Sequence, residues 1–431
     1  MKATLKVLLA TSLLLAPGAY ATKVPIPIEG ATLNISVQVQ TEAMITENGT
    51  PSGQDPAYDI FVRRTRILVN GDISQNFSYL FQIDNANFGK FGNFTGRAIV
   101  QDAWIGWAPT GITGGNVVYI DAGLLLIPIS RHLLESTTNF VTADVHSDEF
   151  RFAGNPFPAN RETGIQVRGW WFDKKIGFRG GVYEGFAPVD QNGTAQTATS
   201  TCTTTGAGCI TPKRYPQFAG FVNFDIIGSE EGGWLYGAYK WAKDPVLSVG
   251  ASGIYQAQAI RNANAFAGLA NQRMASAHVY LNFPQTEQAE LVVDATGYLN
   301  GNGTGNPDTG KGFFVDVGYR FMFVAPYASF SYFEADDCDS GGLTPANFAA
   351  CTNSVKGTAS KNSRNWKAGL NFFFNKNLNH LNLEFQVNHG FSAFGPQAIT
   401  AGNAGYVPAG ITTSLRTSAQ KSFLAHWNVL F

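Results

Sequence analysis

Along most of this chain apolar and polar residues alternate one by one. Leu33, Ile35, Val37 and Val39 are separated by Asn34, Ser36, Gln38 and Gln40. A helix would spread such residues around its circumference, so a period of two reads as strand. The same alternation returns in Phe77, Tyr79, Phe81 and Ile83 against Ser78, Gln82 and Asp84, and in Ile165 and Val167 against Gln166 and Arg168. It returns again in Ala289, Leu291, Val293 and Ala295 against Glu290, Asp294 and Thr296. Leu381, Leu383, Phe385 and Val387 against Asn382, Glu384, Gln386 and Asn388 are the clearest case. One face carries Phe, Leu and Val, as contact with lipid demands. The other carries Gln, Asn and charges of both signs, as a wet interior would.

Sixteen such segments are predicted, at 31–45, 58–70, 75–86, 96–108, 116–127, 161–173, 175–186, 215–228, 246–259, 273–284, 287–300, 312–323, 325–335, 363–375, 379–391 and 417–431. Trp234–Trp241 could be a further strand, but a single-chain bacterial barrel with both ends on one side needs an even number. Without it the connections sort by length. Gly71-Asp72, Asp173-Lys174, Pro284-Gln285, Val324-Ala325 and Asn375-Lys376-Asn377 become tight turns on the periplasmic side. The stretches 46–57, 87–95, 128–160, 187–214, 260–272, 301–311, 336–362 and 392–416 become outer loops. Residues 229–245 become an enlarged periplasmic turn, and 109–115 a medium one. The expected fold is therefore all-β, a transmembrane antiparallel barrel of sixteen strands with short periplasmic turns and long outer loops.

Composition narrows the class without changing it. Of 431 residues 44% are hydrophobic, 13% aromatic and only 14% charged. Mean hydropathy is −0.06. A disordered chain would be poorer in apolar residues and richer in net charge. A soluble domain carries about 25% charged residues. No mature segment offers the ~18 uncharged apolar residues of a membrane helix.

The two ends carry addresses. Lys2 and Lys6, the apolar run Val7–Ala16, the break Pro17-Gly18 and the small-x-small Ala19-Tyr20-Ala21 read as a secretory signal peptide over 1–21. A buried first helix is the other reading. The mature barrel would occupy 22–431, and its slight acidic excess gives no reason to expect nucleic acid as a partner. At the far end Phe423, Ala425, Trp427, Val429 and Phe431 alternate with Leu424, His426, Asn428 and Leu430. A last strand carrying Trp427 and ending on aromatic Phe431 is the kind of signal the outer-membrane insertion machinery reads. Export also meets an oxidising compartment, so Cys202 with Cys209 and Cys338 with Cys351 are expected as two short-loop disulfides. Metal ligation is the weaker alternative, because no His or further Cys lies beside either pair.

Several motifs, in order, resemble the phosphate-selective porin O/P family. They are Phe61-Val62-Arg63-Arg64-Thr65-Arg66 before Gly71-Asp72 and Phe77-Ser78-Tyr79, then Gln101-Asp102-Ala103-Trp104, Gly123 and Pro128-Ile129-Ser130-Arg131. Asn160-Arg161-Glu162-Thr163-Gly164-Ile165-Gln166-Val167 resembles the family's return strand. Glu231-Gly232-Gly233-Trp234 through Leu247-Ser248-Val249-Gly250-Ala251 resembles a later turn and strand. The resemblance implies a sixteen-stranded outer-membrane channel, usually a homotrimer, set among outer-membrane lipid and lipopolysaccharide.

A sixteen-strand barrel is too wide to be filled by its own wall, so selectivity falls to the narrowest lining. Segment 128–160 follows the fifth strand, where porins fold a loop inward, and carries Arg131, His132, Glu135, Asp144, His146, Asp148, Glu149 and Arg151. An ordinary surface loop or subunit contact is the alternative. Inward basic residues fall at Arg64, Arg66, Arg168 and Arg179. Inward acids fall at Asp84, Glu290, Asp294, Asp316 and Glu384, so a basic wall would face an acidic one and set up a transverse field. Otherwise the two kinds pair across adjacent strands and only stiffen the wall. Two arginines against four acids in 128–160 argue for mild anion preference rather than tight phosphate binding.

Enzyme chemistry finds no support. There is no HExxH or Gly-x-Ser-x-Gly, and Asp144, His146 and Ser147 on one extended stretch cannot converge as a triad. Gly301-Asn302-Gly303-Thr304-Gly305 lies in an expected loop and opens no helix. Asp336-Asp337-Cys338-Asp339 is a solvated loop tip, or a place where divalent ions bridge to lipopolysaccharide. No cofactor is expected. The chain reads as a passive channel for ions and small hydrophilic solutes. A non-conducting barrel acting as adhesin or scaffold through its outer loops is the alternative.

Overall fold

The computed structural model describes residues 22–23, 30–47, 49, 55–96, 98–109, 111, 116–146, 161–185, 215–230, 234–241, 243–261, 269–301, 309–335, 363–390 and 420–431. The expected signal peptide over 1–21, the four cysteines and Asp148, Glu149 and Arg151 lie outside these residues.

A two-residue strand β1 (Thr22–Lys23) precedes sixteen barrel strands. They are β2 (Asn34–Thr46), β3 (Ala57–Ser74), β4 (Phe77–Phe88), β5 (Ala98–Trp107), β6 (Val117–Leu126), β7 (Arg161–Trp171), β8 (Ile176–Tyr183) and β9 (Gln217–Ile227). The second half is β10 (Val246–Arg261), β11 (Leu269–Thr286), β12 (Ala289–Gly301), β13 (Gly310–Phe321), β14 (Val324–Ala335), β15 (Ser363–Asn375), β16 (Asn379–Gly390) and β17 (Gln420–Leu430). Each pairs antiparallel with the next, and β17 pairs with β2 from Ser422↔Thr46 to Leu430↔Gln38. Phe431 closes the seam: its amide donates to Val37 O at 2.9 Å, and the Val37 amide donates to Phe431 O at 2.6 Å. Every expected strand is present, and Trp234–Trp241 is not a strand.

Closure is a physical requirement. In hydrocarbon no water satisfies a sheet edge, so the backbone must pair all the way round. The side chains sort by the same alternation. Ile165 and Val167 are exposed on the outer wall, while Gln166 and Arg168 between them are buried within. In β17 Phe423 faces out, whereas Leu424, His426 and Asn428 are buried. A band of outward Ile, Val, Phe and Trp facing lipid, on a closed antiparallel cylinder, is the build of a bacterial outer-membrane barrel.

Three turns sit away from their expected places. β3 runs past Gly71-Asp72, and the chain reverses at Gln75-Asn76. Gly71 serves a close approach instead: a Cβ there would lie 2.0 Å from Thr32 O. β11 carries through Pro284-Gln285 and turns at Glu287-Gln288. The β13–β14 reversal falls at Met322-Phe323, before Val324-Ala325, with Met322 at a φ of 55°. The turn at Asp173-Lys174 is where it was expected, with both residues left-handed.

Candidate functional site

Beyond Leu126 the chain does not continue outward. Leu125, Leu126, Ile127 and Ile129 are buried, and a 3-10 turn, His132–Leu134, follows inside the barrel. Within it the Leu133 amide donates to Ser130 Oγ at 3.2 Å. Ile129 O accepts Ser276 Oγ of β11 at 3.2 Å and also accepts Ser252 Oγ of β10. Residues 127–146 thus pack against the inward-facing side of the wall. Their apolar side chains cluster with inward Trp104, Tyr183, Ile254, Met274, Tyr298 and Phe333.

The connection between β9 and β10 corrects a second expectation. It is more than an enlarged periplasmic turn, because Trp234–Trp241 rises into the lumen and binds the first insert. The Ser136 amide donates to Tyr236 O at 3.0 Å and the Tyr236 amide to Leu134 O at 2.8 Å. The Ala238 amide donates to Asn139 O at 2.9 Å. Asn139 adds its side chain, accepting the Tyr239 amide at 3.0 Å and donating to Tyr239 O at 3.2 Å. The physical cause is hydrogen-bond demand: two irregular segments in a narrow lumen satisfy their backbone groups on each other.

One end of the first insert is fixed to the acidic wall. Arg131 is fully buried and ion-paired with Glu135, with Glu230 of the second insert, and with Asp294 of β12 at 2.9 Å. Its Nη2 also donates to Gly237 O at 3.1 Å, and its guanidinium lies 3.6 Å from the Tyr280 ring centre. Three carboxylates hold the guanidinium charge, and its pKa moves up despite burial. Burial dominates at Glu135 and pushes its carboxyl up to about 7, although Arg131 pulls the other way. Arg131 draws Glu230 below its usual range.

The other end is fixed to the basic wall. Asp144 accepts Arg63 Nη2 at 2.6 Å and Arg64 Nη2 at 2.8 Å. Both arginines point inward because β3 bulges: Gln40 faces Arg64 while Thr41 faces Val62, which leaves Arg63 extra. Burial raises the Asp144 carboxyl, but the two guanidiniums win and hold it well below its usual range. Between the ends, Thr137 Oγ1 accepts Arg66 Nη1 at 2.7 Å, and Thr137 O accepts Gln40 Nε2 at 2.9 Å. The Ala143 amide donates to Glu384 at 3.1 Å, Asn371 Nδ2 donates to Val141 O at 2.8 Å, and His146 Nε2 meets Asp316 at 2.9 Å.

These contacts revise the transverse field. The acids Asp84, Glu290, Asp294, Asp316 and Glu384 all face inward as expected, and none stands bare. Arg66 pairs with Asp84 at 3.0 Å and Arg320 with Glu290 at 2.6 Å, across neighbouring strands. Arg168 pairs with Asp121 at 2.7 Å. Asp294, Asp316 and Glu384 are taken by the insert. Sequence reasoning missed Arg63, Glu230 and Asp121. Arg63 becomes inward only through the bulge, and Glu230 only through the fold of the second insert.

His132, Glu135 and Asp294 bring ligand-type atoms within 4.8 Å of one another. The donor set does not suit a metal ion. His132 Nε2 accepts the His146 amide at 3.1 Å, so the proton of the neutral ring sits on Nδ1. That atom lies 3.5 Å from Glu135 Oε2 and 4.0 Å from Asp294 Oδ2.

No family model matches the chain, and no curated protein matches it. Solved structures do. The anion-selective porin from Comamonas acidovorans aligns with 93% of this chain and 100% of its own at 13% identity and a TM-score of 0.55. OmpF of Salmonella typhi aligns with 94% of this chain and 100% of its own at 12% identity and a TM-score of 0.52. At these identities the likeness is one of fold.

Proposed function

We propose that this chain is an outer-membrane porin: a passive path for ions and small hydrophilic solutes, narrowed by residues 127–146 and 234–241. The observation that carries the reading is the insert itself, seated in a polar lumen and fixed to walls of opposite charge. A loop held in this way sets the width and field of a pore. Of its charged ends the Asp144 group stays wetted, with 23% of the Asp144 side chain and 14% of Arg63 exposed. Two guanidiniums share that single carboxylate, with Glu42 also acting on Arg63, and an arginine-lined opening of this kind favours anions mildly. The porin from Comamonas acidovorans, named as anion-selective, has the same fold. The resemblance to the phosphate-selective O/P family points the same way, and with it to a homotrimer among lipid and lipopolysaccharide.

The second reading is a barrel without conductance. It is favoured by the apolar cluster around Leu125, Ile127, Ile129 and Leu133, which fills part of the lumen with side chains rather than water. Planar bilayers separate the two. The porin reading expects stepwise conductance and, in a KCl gradient, a reversal potential on the anion side. Absence of conductance from correctly folded protein supports the plugged barrel, and a cation-side potential overturns the anion preference.

A further inference from the structure

Arg168 of β7 and Arg179 of β8 stand directly opposite each other on the lumen face. Like charges in that position repel. One carboxylate, Asp121, lies with them, and it is already taken: it accepts Arg168 Nε at 2.7 Å and Gln166 Nε2 at 2.9 Å. Every other lumen-side arginine among the described residues has a carboxylate within 3.2 Å. Arg179 has none. Its Nη2 donates to Trp234 O, and its Nη1 is buried with no acceptor. Trp104 Nε1 is a second buried donor without an acceptor, on a ring 4.5 Å from that of Trp234. The Arg179 guanidinium lies 5.0 Å from the Trp234 ring and 5.9 Å from the Tyr236 ring.

A buried, uncompensated cation is costly, and so is an orphaned donor. Both faults are of one sign: positive charge and N–H groups are in surplus, oxygen is lacking. We infer that Arg179 forms, with Trp234 and Tyr236, a binding site in the lumen wall for the carboxylate of a small monoanionic solute. The fork of a guanidinium matches the two oxygens of a carboxylate. The Trp234 and Tyr236 rings lie beside the guanidinium, so a solute with an apolar body would meet them there. A phosphate dianion fits less well, because a single surplus cation leaves its second charge unbalanced in a dry place. The inference rests on the porin reading only in that the lumen is where such a solute passes.

Tryptophan fluorescence of the full chain in detergent, titrated with cyclohexanecarboxylate and separately with inorganic phosphate, tests it. The carboxylate should give a saturable change and raise the unfolding temperature, and phosphate should bind more weakly. Arg179→Gln should weaken carboxylate binding about tenfold or more, the loss of one charge-assisted contact. Arg179→Lys, which keeps the charge and loses the fork, should fall between. No saturable response in the unaltered protein, tighter binding of phosphate, or equal affinity in folded Arg179→Gln would each overturn the site. The wild-type titration and its thermal shift decide the matter even if neither variant folds. Bilayer conductance is read separately, so a channel that conducts but does not bind carboxylate sinks this inference and leaves the porin standing.

Discussion

The two ends of the first insert are built from the same chemistry and differ in water. Arg131 meets three carboxylates with its side chain 0% exposed. Asp144 meets two guanidiniums with its side chain 23% exposed. In the dry cluster every charge depends on its partners, because desolvation has already been incurred. At the wetted end solvent screens the charges and the net field reaches passing ions. On the proposed porin reading the first end holds the insert, and the second sets what the opening prefers.

The largest effect is expected at the dry end. Arg131→Met leaves Glu135, Glu230 and Asp294 buried without their cation, a loss of about 3–5 kcal/mol. Urea unfolding of the detergent-solubilised barrel should show it, and adding Glu230→Gln should restore part. At the other end Asp144→Asn should change selectivity more than stability. With Arg63 and Arg64 unneutralised, the reversal potential in a KCl gradient should move further to the anion side. An unchanged potential would mean that this pair does not face the current.

The ends should also part company with pH. The Glu135 carboxyl is raised to about 7, so the folded state favours its neutral form. Stability from that group is complete below its ordinary 4.5 and is lost as pH rises through about 7. Asp144 is shifted down, so its contribution is present above the ordinary 3.8 and is lost only in stronger acid. Thermal unfolding followed from pH 5 to 9 should thus fall on the alkaline side, and Glu135→Gln should flatten that fall. The smallest effect belongs to the exposed pair Lys243–Glu287, with side chains 78% and 75% exposed. Lys243→Gln should leave unfolding and conductance unchanged.

Much of the barrel was legible because lipid and water impose a strict period of two. Gln166 and Arg168 between Ile165 and Val167 could be placed on the inner face from that rule alone. Arg131 and Asp144 stand out in the sequence only by their place after the fifth strand. What alternation cannot register is its own interruption. Arg63 is inward because of one extra residue in β3, and a bulge leaves no mark in hydrophobic pattern. Gly71 looked like a turn residue, yet it answers a close approach by Thr32, a distant part of the chain that only the fold brings beside it. The second insert was hidden for another reason: Trp234 to Trp241 is rich in aromatics, and such a segment suits a strand, a turn or a lumen filler equally.

Single-channel conductance tests the central claim most directly. Residues 133–142 can be replaced by a short Gly-Ser linker that leaves β6 and β7 intact, and the variant compared with the unaltered chain in the same bilayer. If the insert narrows the lumen, conductance should rise severalfold and the anion preference contributed around Asp144 should change with it. Equal conductance and equal selectivity in the two proteins would contradict the account.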